Sequence, residues 1–146
     1  ELKTQLELKF AGNEDGSVMS LAIENGLEPN LNLLGYLPHD KALDELFAST
    51  AVLLVINMDP GNEHVLTGKL FEYLSTGKPI LFSGPIPGDA WTLLEKAGNA
   101  NQLENVNPLE LKTMKPEQRG IDSFTRKKLT EELAKLLTQS IEQKRN

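Results

Sequence analysis

The run Ala51-Val52-Leu53-Leu54-Val55-Ile56 limits the folds open to this chain more than any other feature. Six consecutive apolar residues are too few for a typical helix. They also lack the polar alternation of a half-exposed strand. The run therefore reads as a strand buried on both faces, the pattern of a parallel sheet. Parallel neighbours cannot be joined by a tight turn and need a crossover of a dozen or more residues, usually a helix. The rest of the chain must then alternate short strands with helices.

It does. Leu6 to Ala11 alternates with period two and ends at Gly12, Leu31 to Leu37 is closed by Pro38, and Pro79 to Phe82 is a short apolar run, so each reads as a strand. Asn99 to Leu103 reads as a short edge strand. Between them lie helical patterns: Ser17 to Asn25, stopped by Gly26; a helix capped by Asp40 with Leu43, Leu46 and Phe47 on its apolar face; Thr67 to Thr76, stopped by Gly77; and a helix capped by Asp89 and running to Ala97. Glu104 to Gly120 is mostly irregular, with one helical turn near Leu109. A last helix from about Ser123 to Gln143 carries the stripe Leu129, Leu133, Leu136, Leu137 and Ile141. These patterns predict one α/β domain over residues 1–146, a Rossmann-like three-layer α/β/α arrangement with a mainly parallel sheet. Such folds bind ligands at the carboxyl ends of their strands, here after Gly12, Tyr36, Ile56 and Phe82.

Composition removes several functions. The chain has no cysteine, which excludes disulfides, thiolate zinc sites and cysteine nucleophiles. Its formal charge of −6 disfavours nonspecific nucleic-acid binding, which depends on many Lys and Arg contacts to phosphates. The cluster Arg126, Lys127 and Lys128 is followed at once by Glu131 and Glu132 and reads as a solvated face. His39 and His64 share no spacing that would make a metal site, and no Asp-x-Asp occurs. No apolar run approaches membrane-spanning length. Glu1 reads as a cut rather than a natural start.

The segment from Asn57 to Gly77 is the most informative. A loop containing Pro60 and Gly61 leaves the buried strand and enters a helix. The first amides of a helix lack intrahelical acceptors and carry the positive end of its dipole, which suits a diphosphate. Thr67 is the N-cap candidate, and Gly68 would let a ligand approach the backbone. On a helical wheel Leu66, Leu70, Tyr73 and Leu74 share the face that should pack on the sheet, with Val65, Lys69, Glu72 and Thr76 opposite. Lys69 could neutralise a phosphate and Glu72 could accept two hydrogen bonds from a ribose diol. By spacing alone the two also read as an ordinary surface ion pair. Phe71 lies off the main apolar face and is expected against a neighbouring helix or another domain, and Trp91 reads as a packing residue.

The run Gly68-Lys69-Leu70-Phe71-Glu72-Tyr73-Leu74-Ser75-Thr76-Gly77-Lys78-Pro79-Ile80 resembles the K-x-x-E-Y-x-x-x-G-K-P segment of GT-B glycosyltransferases, in the large retaining group called family four. Leu33 to His39 resembles that group's strand ending in G-Y-V-P, and Leu46 to Ile56 its helix, small-residue turn and buried strand. The similarity covers about Leu6 to Leu103, with the closing helix in place. It implies the C-terminal, donor-binding half of a two-domain enzyme that moves a sugar from a nucleotide-diphosphate donor to a saccharide or lipid-linked acceptor, as in polysaccharide biosynthesis. It further implies that Glu72 binds the ribose, that the amides of Thr67 and Gly68 approach the diphosphate, that Lys69 neighbours the phosphates or ribose, and that Tyr36 and Leu37 contact the base. Neither a metal nor another cofactor is expected. A cytoplasmic enzyme is implied, associated with the inner face of the membrane in its full-length form.

Two departures bear on the site. Many members carry a second glutamate eight residues before the one at Glu72; here that position is His64, counted with the donor-binding candidates, and Glu63 is one residue out of register. The strand that opens the domain, with its Arg and Lys diphosphate clamp, has no counterpart, because Leu6 to Gly12 resembles the second strand. The chain is therefore expected to lack the first strand of the domain and the acceptor half, and to be inactive by itself. No catalytic residue can be assigned. Two other classes remain open: a sugar-nucleotide epimerase, whose Ser-Gly-Gly run is not found, and a non-catalytic doubly wound regulatory or binding module. A receiver would need an Asp where Asn57 ends the buried strand.

Overall fold

The computed structural model describes residues 6–116 and 124–143. Within them the chain is mixed α/β, with five α-helices and two small, wholly parallel sheets. The order is β1 (Leu8–Ala11), α1 (Ser17–Glu24), β2 (Leu31–Gly35), α2 (His39–Ala48), β3 (Val52–Val55), α3 (Gly68–Thr76), β4 (Ile80–Ser83), α4 (Asp89–Lys96), β5 (Asn101–Gln102) and α5 (Arg126–Gln143). Strand β1 pairs with β2 in one sheet, and β3, β4 and β5 pair in that order in the other. Every pair of successive strands within a sheet is linked by a helix, as parallel pairing requires.

The core belongs to the second sheet. Val52, Leu54 and Ile56 from the β3 segment and Ile80 and Phe82 from β4 pack against Leu70 and Leu74 of α3 and Ala90 and Leu94 of α4. Phe82, Leu70, Ile80 and Leu94 are fully enclosed, and each such side chain contributes about 1.5–3 kcal/mol by leaving water. Trp91 meets Phe82 with ring centroids 5.7 Å apart, the packing role expected of it. Of the first sheet and its helix, only Ala22 is a buried hydrophobic residue among those described.

Asn99 closes the core with polar atoms. It is 2% exposed; its Oδ1 accepts the Ile80 amide at 3.0 Å and its Nδ2 donates to the Lys78 carbonyl at 2.8 Å. The side chain thereby supplies the two bonds that a longer β5 backbone would otherwise make to β4.

Several expectations need correction. The apolar run around β3 is not buried on both faces: Leu53 is 49% and Val55 57% exposed, while Val52 and Leu54 are enclosed. Among the described residues, helices cover one face of this sheet and leave the other open, and hydrophobicity alone does not reveal which face is covered. Asp40 and Asp89 are not caps. Pro38 and Gly88 hold those positions, and both aspartates lie in the first turn, where they face the positive end of the dipole. Leu66 precedes α3 and is half exposed, whereas Val65, assigned to the outer stripe, packs against the core. Both lie ahead of the first helical residue, so the wheel does not govern them. The stripe on α5 is present, but Leu129, Leu133, Leu136, Leu137 and Ile141 are all exposed. The anticipated start of that helix at Ser123 lies outside the described residues, as does Glu1. Among the described residues no helix is long and apolar enough to cross a membrane.

Candidate functional site

In the second sheet the parallel topology sets α3 antiparallel to β3, so its first turn stands at the carboxyl end of that strand. The connecting loop makes a tight turn at Asn62–His64 before reaching Thr67. Asn62 Nδ2 braces the loop by donating to the Asn57 carbonyl at 3.0 Å.

Thr67 occupies the N-cap position with extended backbone, as expected, but its hydroxyl makes no capping bond. The Oγ1 atom is buried and has no hydrogen-bond partner among the described residues. An unpartnered buried hydroxyl is costly, and it leaves the helix amides without the side-chain acceptor that a threonine cap normally provides. Beside it Gly68 faces open space: a Cβ built there would meet no atom within 4 Å. The start of α3 thus lacks a side-chain cap and has open space at Gly68. At its other end α3 stops at Gly77, whose φ of 69° is the left-handed conformation expected of a helix stop.

Lys69 and Glu72 project from the exposed side of α3, and no ion pair joins them among the described residues. Tyr73 turns inward against the core, and burial raises its phenol above the ordinary value, with a smaller push from the Glu72 carboxylate. Phe71, off the buried face, meets Phe124 just ahead of α5 with ring centroids 6.4 Å apart.

The loop after β4 packs onto the same end. A Cβ at Gly84 would stand 2.7 Å from the Phe82 ring and 3.1 Å from the Ile56 carbonyl oxygen; one at Gly88 would stand 2.8 Å from the Pro85 carbonyl oxygen. Only glycine fits these two approaches. His64 reaches the start of α4, with Nδ1 3.5 Å from Asp89 Oδ2, both side chains being exposed. His64 is therefore directed at a protein carboxylate. Glu63 folds back so that its carboxylate accepts the Gly61 amide at 2.8 Å. Its own backbone amide and that of Gly61 hold the carboxyl below the ordinary glutamate value.

The candidates thus separate into two groups. Thr67, Gly68, Lys69 and Glu72 share one helix, and His64 lies in the loop that leads into it. Tyr36 and Leu37 follow β2 of the other sheet, and no hydrogen bond or ion pair ties them to α3 among the described residues. Tyr36 is 77% exposed and Leu37 is half-buried. A groove of about 440 Å³ lies elsewhere, lined by Thr50, Lys78, Pro79, Lys112 and Met114. Thr50 and Pro79 precede β3 and β4, so this groove is at the amino ends, opposite the end where α/β sheets place their ligands. Sequence reasoning missed the glycine packing between the two loops; the spacing Gly84-Pro85-Ile86-Pro87-Gly88 suggested rigidity but not which backbone it meets. Among the described residues no three His, Asp or Glu side chains are grouped so as to hold a metal ion. Comparison with protein-family models and with curated proteins finds no match to this chain.

Proposed function

We propose that this chain is the nucleotide-sugar-binding part of a GT-B glycosyltransferase, the three-layer donor half that grips a nucleoside diphosphate at the first turn of α3. The observation that carries the reading is the state of Thr67: an N-cap residue whose buried hydroxyl has no partner, next to a glycine with open space where a side chain would be. A diphosphate oxygen on the open side of Gly68 supplies the acceptor that the uncapped first amides of α3 lack. Lys69 then adds a nearby cation, and Glu72, one turn further, accepts the ribose hydroxyls. Catalysis in the complete enzyme is positioning and stabilisation of the departing diphosphate, with acceptor groups coming from another domain. The 146 residues alone are expected to bind nucleotide without transferring sugar.

The test is calorimetric titration with UDP and with GDP, on the parent and on Gly68→Ala. The added methyl has room in the free protein, so thermal stability is unchanged, while it obstructs the diphosphate and weakens binding about tenfold or more. Binding of neither nucleotide to the parent overturns the reading and favours a non-catalytic doubly wound module.

A further inference from the structure

The groove at the amino ends of β3 and β4 is lined by Lys78, Lys112 and Lys115 and by no aspartate or glutamate. A chain with 15 Lys and Arg against 21 Asp and Glu would ordinarily mix the two signs on its surface. None of the three lysines makes an ion pair among the described residues. Pro79, Leu111 and Met114 give the same groove an apolar wall.

Local structure plants each cation. The Lys78 amide donates to Thr76 Oγ1 at 3.1 Å, and its carbonyl accepts from the buried Asn99 at 2.8 Å. Its backbone is therefore committed, and the ammonium is left for another partner. Lys112 and Lys115 belong to a turn in which Thr113 and Met114 both donate their amides to the Glu110 carbonyl, at 2.9 and 3.0 Å. Leu111 and Met114, three residues apart, are half-buried, while Lys112 and Lys115, also three apart, are exposed side by side. Like charges at this spacing repel each other, and a shared anion removes that cost. Helices α2 and α3 end beside the groove, where Ala48 and Gly77 line it. Each helix end carries about half a negative charge, which leaves the three ammonium groups a surplus of about two positive charges.

We propose that this groove is a second ligand site, which takes the phosphate monoester of a small molecule. Near neutral pH such a group carries about two negative charges and three acceptor oxygens on one centre, matching both the surplus and the number of ammonium groups. Lysine suits it as a point charge. The groove volume of about 440 Å³ admits a compact organic portion, whose carbon atoms lie against Pro79, Leu111 and Met114. Once bound, the ligand holds the turn that carries Lys112 and Lys115 against the ends of β3 and β4. The site does not depend on the nucleotide reading, because Gly77 lines it at the opposite end of α3 from Thr67 and Gly68.

The probe is glycerol 3-phosphate, titrated into the 146-residue chain at constant ionic strength and followed by amide NMR shifts. Shifts at Thr50, Gly77, Lys78, Lys112 and Lys115 should saturate together with a Kd of about 1 mM, while Gly68 stays still. Dimethyl phosphate, a monoanion, and succinate, whose two charges are spread apart, should each bind about tenfold more weakly. Lys112→Gln combined with Lys115→Gln, both at exposed positions, should weaken glycerol 3-phosphate binding about tenfold or more with the unfolding midpoint kept. Lys78→Gln gives the same readout if that variant does not fold. Succinate binding as tightly as glycerol 3-phosphate overturns the phosphate assignment. Shifts centred on Gly68, shifts shared equally with Lys41, Lys127 and Lys128, or none at all overturn the site. Binding to phosphatidic acid vesicles without any response to glycerol 3-phosphate overturns the free ligand in favour of a membrane headgroup.

Discussion

Gly88 lies against the backbone of Glu63 so closely that a Cβ at position 88 would stand 3.2 Å from the Glu63 carbonyl oxygen. One loop leaves β3 and the other leaves β4, and this contact holds them together beside the first turn of α3. His64 and Asp89, the next residue along each chain segment, continue the contact outward, with His64 Nδ1 3.5 Å from Asp89 Oδ2. The framework around the candidate site is therefore built on backbone proximity rather than on long side chains.

Substitution of either glycine tests that framework. Gly84→Ala and Gly88→Ala each force a methyl into occupied space and should destabilise the fold by about 1–3 kcal/mol. Urea denaturation measures this directly. Midpoints equal to the parent's for both variants would show that the loops yield easily.

Asn99 should be among the least replaceable polar residues. Asn99→Leu fills a similar volume but leaves the Ile80 amide and the Lys78 carbonyl without partners, at a cost of about 1–3 kcal/mol. Hydrogen exchange at the Ile80 amide should accelerate with it. A variant as stable as the parent, with Ile80 still protected, would mean that water replaces the side chain.

Glu63 predicts a pH effect of defined sign. Its carboxyl is held below the ordinary value of 4.5 by its own amide and that of Gly61. The contribution is present in full above that value and is lost as the pH falls through the lowered value of the folded state. Glu63→Gln lacks the contribution at every pH. The difference in urea midpoint between parent and variant should therefore shrink as pH is lowered below 4.5. A difference independent of pH would assign the effect to something other than the carboxylate.

Glu72 separates binding from folding. It is exposed and free of any ion pair with Lys69 among the described residues, so Glu72→Ala should change stability by less than about 0.5 kcal/mol. Loss of hydrogen bonds from a ribose diol should nevertheless weaken UDP or GDP binding by roughly tenfold or more. Unaltered affinity in calorimetry would remove Glu72 from the site while leaving the diphosphate assignment to be judged by Gly68→Ala.

Much of this organisation is legible in the sequence. The progression from aliphatic run to loop to Thr67 to Gly77 specifies a strand, a crossover and a helix with a defined stop, because period, capping chemistry and glycine all act locally. What local patterns do not carry is what covers a surface. The β3 run reads as doubly buried because each residue is apolar, yet coverage depends on elements distant in the chain, and Leu53 and Val55 are open. The α5 stripe is misleading in the same way. Asp40 and Asp89 look like caps because aspartate suits both the cap and the first turn, and only backbone geometry separates the two. The orphaned hydroxyl of Thr67 is invisible at that level, since a threonine at a helix start is expected to satisfy itself.

The second sheet has unequal margins. It ends on one side in β5, two residues long, and on the other in β3, four residues long, with bare aliphatic side chains. Short margins offer little template for accidental pairing, whereas a longer, flat and greasy one invites it. Self-association through the second sheet in concentrated solution should therefore begin at β3 rather than at β5. A single charge at the exposed position 53 would then improve the yield of soluble protein without touching α3.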